Sequence, residues 1–320
     1  MTAAQNLYPP IDPFDQRMID VGDGHKVYVE QCGKRDGIPV VVCHGGPGGG
    51  CSPTMRRFFD PSVYRVILFD QRGCGRSNPF ASVEANTTQH LIADMEQIRE
   101  TLNIERWVLF GGSWGATLAL MYAQTHPIRA RHLVLRGVFL MMQRELDWFY
   151  GGGAGQFWPD LWDRFQAMIP PDERGDLIGA YHKRLFSGNR NEEVRYGRAW
   201  SAWETALASI DSTGGGGTYV GSGEYARAFA RLENHYFING GFIDEGQILA
   251  NMDRISGIGS TIIQGRYDLI CPPRSAFDLS KKWMLSDLRM IGKAGHAMSE
   301  PGIKAELVRV MDNLPARYGL

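Results

Sequence analysis

Apolar residues along this chain arrive in two rhythms that alternate for most of its length. Residues 25–31 (His-Lys-Val-Tyr-Val-Glu-Gln) alternate apolar and polar side chains, as a half-buried edge strand does. Residues 39–43, Pro-Val-Val-Val-Cys, form a continuous β-branched run, which predicts a central strand covered on both faces. Residues 64–69 predict the next strand. From 86 to 102 the spacing changes to Leu91, Met95, Ile98 and Leu102, one face of a helix, with Thr87 or Thr88 as its cap. Trp107-Val108-Leu109-Phe110 returns to a buried strand, residues 116–123 are good helix material, and 132–137 make another strand. From about 140 to 240 the alternation stops. That segment is rich in Trp, Phe, Tyr and helix formers, punctuated by Pro170-Pro171 and Gly214-Gly215-Gly216-Gly217. Strand–helix alternation resumes at 260–265 and continues with a helix over 274–283, a short strand at 288–291 and a terminal helix from 303 to about 318.

Repeated strands with crossover helices predict an α/β fold with a doubly wound, mostly parallel sheet. The irregular segment predicts a mostly helical cap. The expected division is a sheet domain from residues 1–139 and 241–320, with a cap of 140–240 inserted after the strand at 132–137. Ligands of such sheets sit at the carboxyl ends of the strands.

Composition narrows the class without naming it. A chain of 320 residues with 43% apolar residues is ample for a packed core, and its formal net charge of -1 gives no reason to expect nucleic acid or an anionic membrane as partner. The N-terminus has neither the basic nor the apolar region of a secretory signal, and no run is long enough for a membrane span. Cys32, Cys43, Cys51, Cys74 and Cys271 are odd in number and scattered, with no zinc-like spacing. A reduced, cytoplasmic enzyme without metal or cofactor fits these features.

The chemistry gathers at the predicted strand ends. Gly111-Gly112-Ser113-Trp114-Gly115 is a G-x-S-x-G pattern between a strand and a helix. Alone, the pattern also fits a glycine-rich turn with a helix-capping serine. With a strand before and a helix after, it reads as a nucleophile held up on a strained turn. A serine hydroxyl needs a general base, and the base needs an orienting carboxylate. On such a sheet these follow in the order serine, acid, histidine. Asp268 stands just past the strand at 260–265, and His296 just past the strand at 288–291. Asp70 also follows a strand but precedes the serine, so it reads as a structural turn residue. The loop His44-Gly45-Gly46-Pro47-Gly48-Gly49-Gly50 carries a glycine density that demands close backbone approach. Two backbone N–H donors for an oxyanion are expected from Trp114 and Gly46, since Pro47 has no N–H.

These motifs together resemble a known family. His44-Gly45-Gly46-Pro47-Gly48, Asp70-Gln71-Arg72-Gly73-Cys74-Gly75-Arg76-Ser77, Gly111-Gly112-Ser113-Trp114-Gly115 and Gly265-Arg266-Tyr267-Asp268 resemble the proline iminopeptidases (prolyl aminopeptidases) of the α/β-hydrolase fold. Leu135-Arg136-Gly137 and Glu233-Asn234-His235-Tyr236-Phe237 add to the likeness. The resemblance implies a metal-free serine exopeptidase that releases proline from the N-terminus of short peptides, with Ser113, Asp268 and His296 as triad. It also implies that Glu204 and Glu233 bind the charged imino group, with Phe139, Phe149 or Tyr150, and Phe237 as an aromatic wall around the ring. Gly46 is expected to offer its carbonyl as well. A broader aminopeptidase or a carboxylesterase is the alternative on this fold, and a non-catalytic binding protein would need no triad. Two departures stand out. Residues 214–223 are unusually glycine-rich and lie between the two glutamates. Cys271 falls three residues after Asp268, where a mercurial would crowd the triad.

Overall fold

The computed structural model describes residues 7–210 and 221–318, so the tetraglycine run at 214–217 lies outside the described residues. Eight strands form one sheet: β1 (Asp15–Asp20), β2 (Lys26–Gly33), β3 (Ile38–Cys43), β4 (Tyr64–Phe69), β5 (Trp107–Ser113), β6 (Ala130–Val138), β7 (Gly259–Gly265) and β8 (Ser286–Ile291). Their spatial order is β1-β2-β4-β3-β5-β6-β7-β8. The pairs from β4 through β8 are parallel, whereas β1–β2 and β2–β4 are antiparallel. The expected α/β class and mostly parallel sheet are therefore present. One placement differs. The strand expected at an edge, β2, is the second strand in, and the outer position belongs to β1. The sequence of β1, Asp-Gln-Arg-Met-Ile-Asp, is largely polar and exposed, and so carries little periodic signal.

The triple valine of β3 shows why central strands read as unbroken apolar runs. Val41 packs into the core on one face with Leu109, Leu135 and Ile262. Val40 and Val42 pack on the other with Val108, Phe110, Val134 and Ile263. Both faces are covered, so neither parity of the strand meets water.

Helix α1 (Thr88–Thr101) begins where the Thr87 side chain accepts the His90 N–H, and α2 (Trp114–Thr125) leaves the end of β5 directly. Between β6 and β7 the described residues hold no strand. They hold α3 (Gln143–Tyr150), α4 (Pro159–Ala167), α5 (Leu177–Leu185), α6 (Arg190–Leu207), α7 (Gly223–Ile238) and the short α8 (Gln247–Ala250). Helices α9 (Pro273–Lys282) and α10 (Pro301–Tyr318) complete the chain. Strand order reverses at β3–β5, so the loop after β3 and the turn after β5 meet at the carboxyl edge.

Candidate active site

Ser113 sits between β5 and α2 with φ 58° and ψ -129°, a conformation that costs a non-glycine residue of order 1–3 kcal/mol. The flanking glycines make it possible. A Cβ on Gly111 would stand 2.2 Å from the Gly115 carbonyl oxygen, and one on Gly115 would stand 2.0 Å from the Cys43 carbonyl oxygen. The strand, the turn and the helix therefore pack backbone against backbone. The Ser113 hydroxyl lies 4.0 Å from Cys271 Sγ and is not hydrogen-bonded to an imidazole in this state.

Asp268 and His296 meet at the ends of β7 and β8. His296 Nδ1 donates to Asp268 Oδ2 at 2.8 Å. The other oxygen, Oδ1, accepts the N–H groups of Ile270 (3.0 Å) and Cys271 (2.8 Å). Gln264 Nε2 adds a donor to Oδ2 at 3.2 Å. A buried carboxylate with this many donors is held in one orientation. Burial pulls the His296 pKa below the ordinary histidine value, against the opposing pull of Asp268, so the ring is neutral and ready to accept a proton. Gly137, with φ 53°, leaves room for the pair: a Cβ there would stand 2.8 Å from His296 Cε1 and 3.2 Å from Asp268 Oδ2.

The glycine loop is fixed from below. Gln71 donates its backbone N–H to His44 Nε2 and its side-chain N–H to the His44 carbonyl, both at 3.0 Å. Its side-chain oxygen accepts the Trp114 indole N–H, also at 3.0 Å. From above, α7 lies against the loop. A Cβ on Gly48 would meet the Leu232 Cβ at 3.0 Å, and one on Gly46 would meet the Phe229 ring at 3.3 Å. Asp70 is a turn residue, as expected. It accepts the N–H of Cys51 and pairs with Arg76, away from the pocket.

One pocket gathers Ser113 and Gly46 with Phe139, Phe149, Tyr150, Glu204, Glu233 and Phe237. Both Phe149 and Tyr150 line it. The Trp114 side chain does not, for its ring is buried against Tyr236, with centroids 4.6 Å apart. In α7, Asn234 docks onto α5 through His182 and the Ile178 carbonyl. His235 and Tyr236 dock onto Asn86. That leaves Glu233 and Phe237, one turn apart, on the pocket side.

The two glutamates are set by aromatic donors. Tyr150 donates to Glu204 Oε1 at 2.9 Å, and Trp200 Nε1 donates to Glu233 Oε2 at 2.6 Å. Tyr150 and Trp200 stack, with centroids 4.4 Å apart. Burial pushes the Glu204 pKa up to about 7. Glu233 is raised well above the carboxylate range, by burial first and then by the neighbouring Glu204 charge. Neither joins any ion pair formed among the described residues. Two neighbouring acidic groups lining one pocket keep a proton between them unless a cation arrives.

The whole chain compares closely with proteins of known type. Residues 38–302 match the family model of the alpha/beta hydrolase fold. A proline iminopeptidase of Arabidopsis thaliana is 49% identical over 317 residues, covering 98% of this chain and 83% of that protein. A proline iminopeptidase of Xylella fastidiosa (strain Temecula1) is 50% identical over 301 residues, covering 93% and 95%. This chain belongs to the proline iminopeptidase family. Among solved structures, an esterase from Exiguobacterium antarcticum superposes with a TM-score of 0.59 at 19% identity, over 95% of this chain and 99% of that one, a likeness of fold.

Three supports of this candidate site carry little signal in the sequence as functional residues: Gln71, Gln264 and Gly137. Gln264 left a faint signal, a buried amide directly after Ile262-Ile263 in a buried strand, where its oxygen accepts the Val138 N–H at 3.1 Å. Gly137 left a similar one, a glycine ending an apolar strand.

Proposed function

We propose that the protein is a serine exopeptidase releasing N-terminal proline from short peptides through an acyl-enzyme. The observation that carries this is the Glu204–Glu233 pair. Two carboxylates, Glu233 buried and Glu204 half-buried, neither in an ion pair among the described residues, share the pocket with Ser113. They match a substrate whose charged nitrogen is on the residue being released. An internal or acylated nitrogen leaves both acids desolvated and unpaired, which is costly.

In this scheme the prolyl ring enters between Phe139, Phe237 and the Phe149–Tyr150 pair, and its nitrogen lies between the two glutamates. Ser113 Oγ turns from Cys271 to His296 Nε2, a contact that tightens once substrate is bound. It attacks the prolyl carbonyl as His296 takes its proton, and Asp268 holds the imidazolium. The N–H groups of Trp114 and Gly46 receive the oxyanion, each worth about 10²–10³ in turnover. His296 then protonates the departing amine, and water, deprotonated by the same ring, releases proline. Residues 140–240 act as the cap over a catalytic domain of 1–139 and 241–320. All five cysteines are unpaired thiols, which supports a reducing, cytoplasmic setting. No helix among the described residues is long and apolar enough to cross a membrane.

The test is a panel of prolyl, alanyl and N-acetyl-prolyl arylamides with a simple ester, run on the parent and on Ser113→Ala. Prolyl arylamide turned over well, the N-acetyl compound refused and all turnover lost in Ser113→Ala is the expected result. Equal use of prolyl and alanyl substrates would make it a broader aminopeptidase, and ester hydrolysis alone a carboxylesterase.

A further inference from the structure

A third carboxylate, itself buried, reaches the pocket and takes no part in the scheme above. Glu145, the third residue of α3, is 4% exposed and lines the same cavity as Glu204 and Glu233. Its surroundings differ from theirs. Oε2 accepts the Met142 N–H at 2.9 Å and the Leu140 N–H at 3.1 Å. Oε1 lies 3.2 Å from that same Leu140 N–H and also accepts the hydroxyl of Ser275, from α9. Both oxygens are thus filled by donors of the chain itself. At the N-terminus of a helix these donors oppose, without cancelling, the burial that raises the Glu145 pKa above the ordinary carboxylate value. Glu145 has little left to offer a substrate ammonium group.

The donors show what the residue holds. Leu140 and Met142 flank Met141, whose φ of 58° is left-handed for a non-glycine side chain. The turn immediately precedes α3 and immediately follows Phe139. Phe139 stands edge-on to Phe237, with centroids 5.8 Å apart, and its carbonyl accepts the Thr117 hydroxyl at 2.7 Å. Phe149 and Tyr150 sit on α3 itself. Ser275 lies four residues beyond Cys271, in the helix that follows the Asp268 loop. One side chain therefore joins both halves of the aromatic wall to the segment downstream of the acid.

Resting on the proposed function, we propose that Glu145 is a positioning residue that sets the width of the ring-binding wall and thereby the preference for proline. Its effect should appear in recognition of the ring and not in the acyl-transfer step. Gln can keep the tie. Its oxygen accepts from the turn, and its Nε2 donates to Ser275 Oγ, which also accepts. Ala cannot.

The experiment compares Glu145→Gln, Glu145→Ala and Ser275→Ala with the parent on prolyl and alanyl arylamides and on a simple ester. In Glu145→Ala, KM for the prolyl substrate should rise about tenfold or more with kcat within about threefold, and ester and alanyl turnover should hold within about threefold. Glu145→Gln should restore prolyl KM, and Ser275→Ala should raise it about threefold. A parallel loss on all three substrates in Glu145→Ala overturns the proposal. So does a Gln variant as impaired as Ala. Should Glu145→Ala fail to fold, an unchanged prolyl KM in Ser275→Ala overturns it. A parent that splits the ester but not prolyl arylamide refutes the exopeptidase function before any variant is made, so the two failures are distinguishable.

Discussion

Gln71 receives the indole N–H of Trp114 at 3.0 Å while its own side-chain N–H holds the His44 carbonyl. One amide thus spans the two segments whose backbone N–H groups are proposed to meet the oxyanion. Replacing Gln71 by Leu leaves a buried indole and a buried carbonyl without partners and frees the loop from the serine turn. We expect kcat to fall about 10- to 100-fold with KM nearly unchanged, because these donors matter most in the transition state. Steady-state kinetics on a prolyl arylamide check this. A rise confined to KM would assign Gln71 to the pocket instead.

The glutamate pair should leave its signature in pH profiles. An acid whose pKa is raised is neutral below that pKa and attracts a cation only above it. With Glu204 at about 7, kcat/KM for a prolyl arylamide should climb as pH rises through that range. Histidine ionisation should not account for the climb, since burial moves His296 down. In the empty protein the sign is opposite. The raised pKa favours the fold below the ordinary glutamate value of 4.5, and that contribution is lost as pH rises through about 7. Free proline should therefore raise Tm more at pH 8 than at pH 6. Glu204→Gln should raise prolyl KM about tenfold or more, the scale of one charge-assisted hydrogen bond.

Gly137→Ala tests the seat of the histidine. The added methyl meets His296 and Asp268 at a φ that alanine resists. We expect kcat to drop about 100-fold, the scale of a 1 Å misplacement, while proline still binds. Calorimetric titration with proline, beside turnover, separates the two effects. Loss of both together would make Gly137 a folding residue.

We expect Cys271 to be the thiol through which a mercurial inactivates the protein. Burial pushes its thiol well above the ordinary range, so it is no nucleophile. Its sulfur is 4.0 Å from Ser113 Oγ, and its N–H holds Asp268. Mercury attached there crowds the triad. Cys271→Ser should retain turnover and resist an organomercurial. An equally sensitive Cys271→Ser variant would refute this.

What could be read in advance follows from how local each signal is. Ser113 was legible because its strand, its glycines and its helix are contiguous, and each constrains the next. Asp268 and His296 were legible because the fold returns each strand to the same edge. The glutamates were not legible from spacing. A lone Glu in Ala-Trp-Glu on α6 has the appearance of a surface charge, and only family resemblance singled it out. Glu145 and Gln71 went unread as functional because their partners lie 130 and 43 residues away in sequence. β1 went unread because a polar edge strand has no apolar rhythm to show.

The end of α6 bears on how such enzymes can be rebuilt. The Ala208 carbonyl, one turn past Glu204, accepts the N–H groups of both His296 (3.1 Å) and Ala297 (2.7 Å). Glu300 extends the seam by accepting from Ser209 and Ile210. The helix that carries Glu204 is thereby stitched to the loop that carries His296. A chimera that exchanges the helical segment for another specificity has to keep this stitch or supply an equivalent acceptor. Otherwise it alters the timing of proton transfer along with the choice of substrate. Junctions at the β6 end leave that seam untouched, and those between 205 and 210 cut through it.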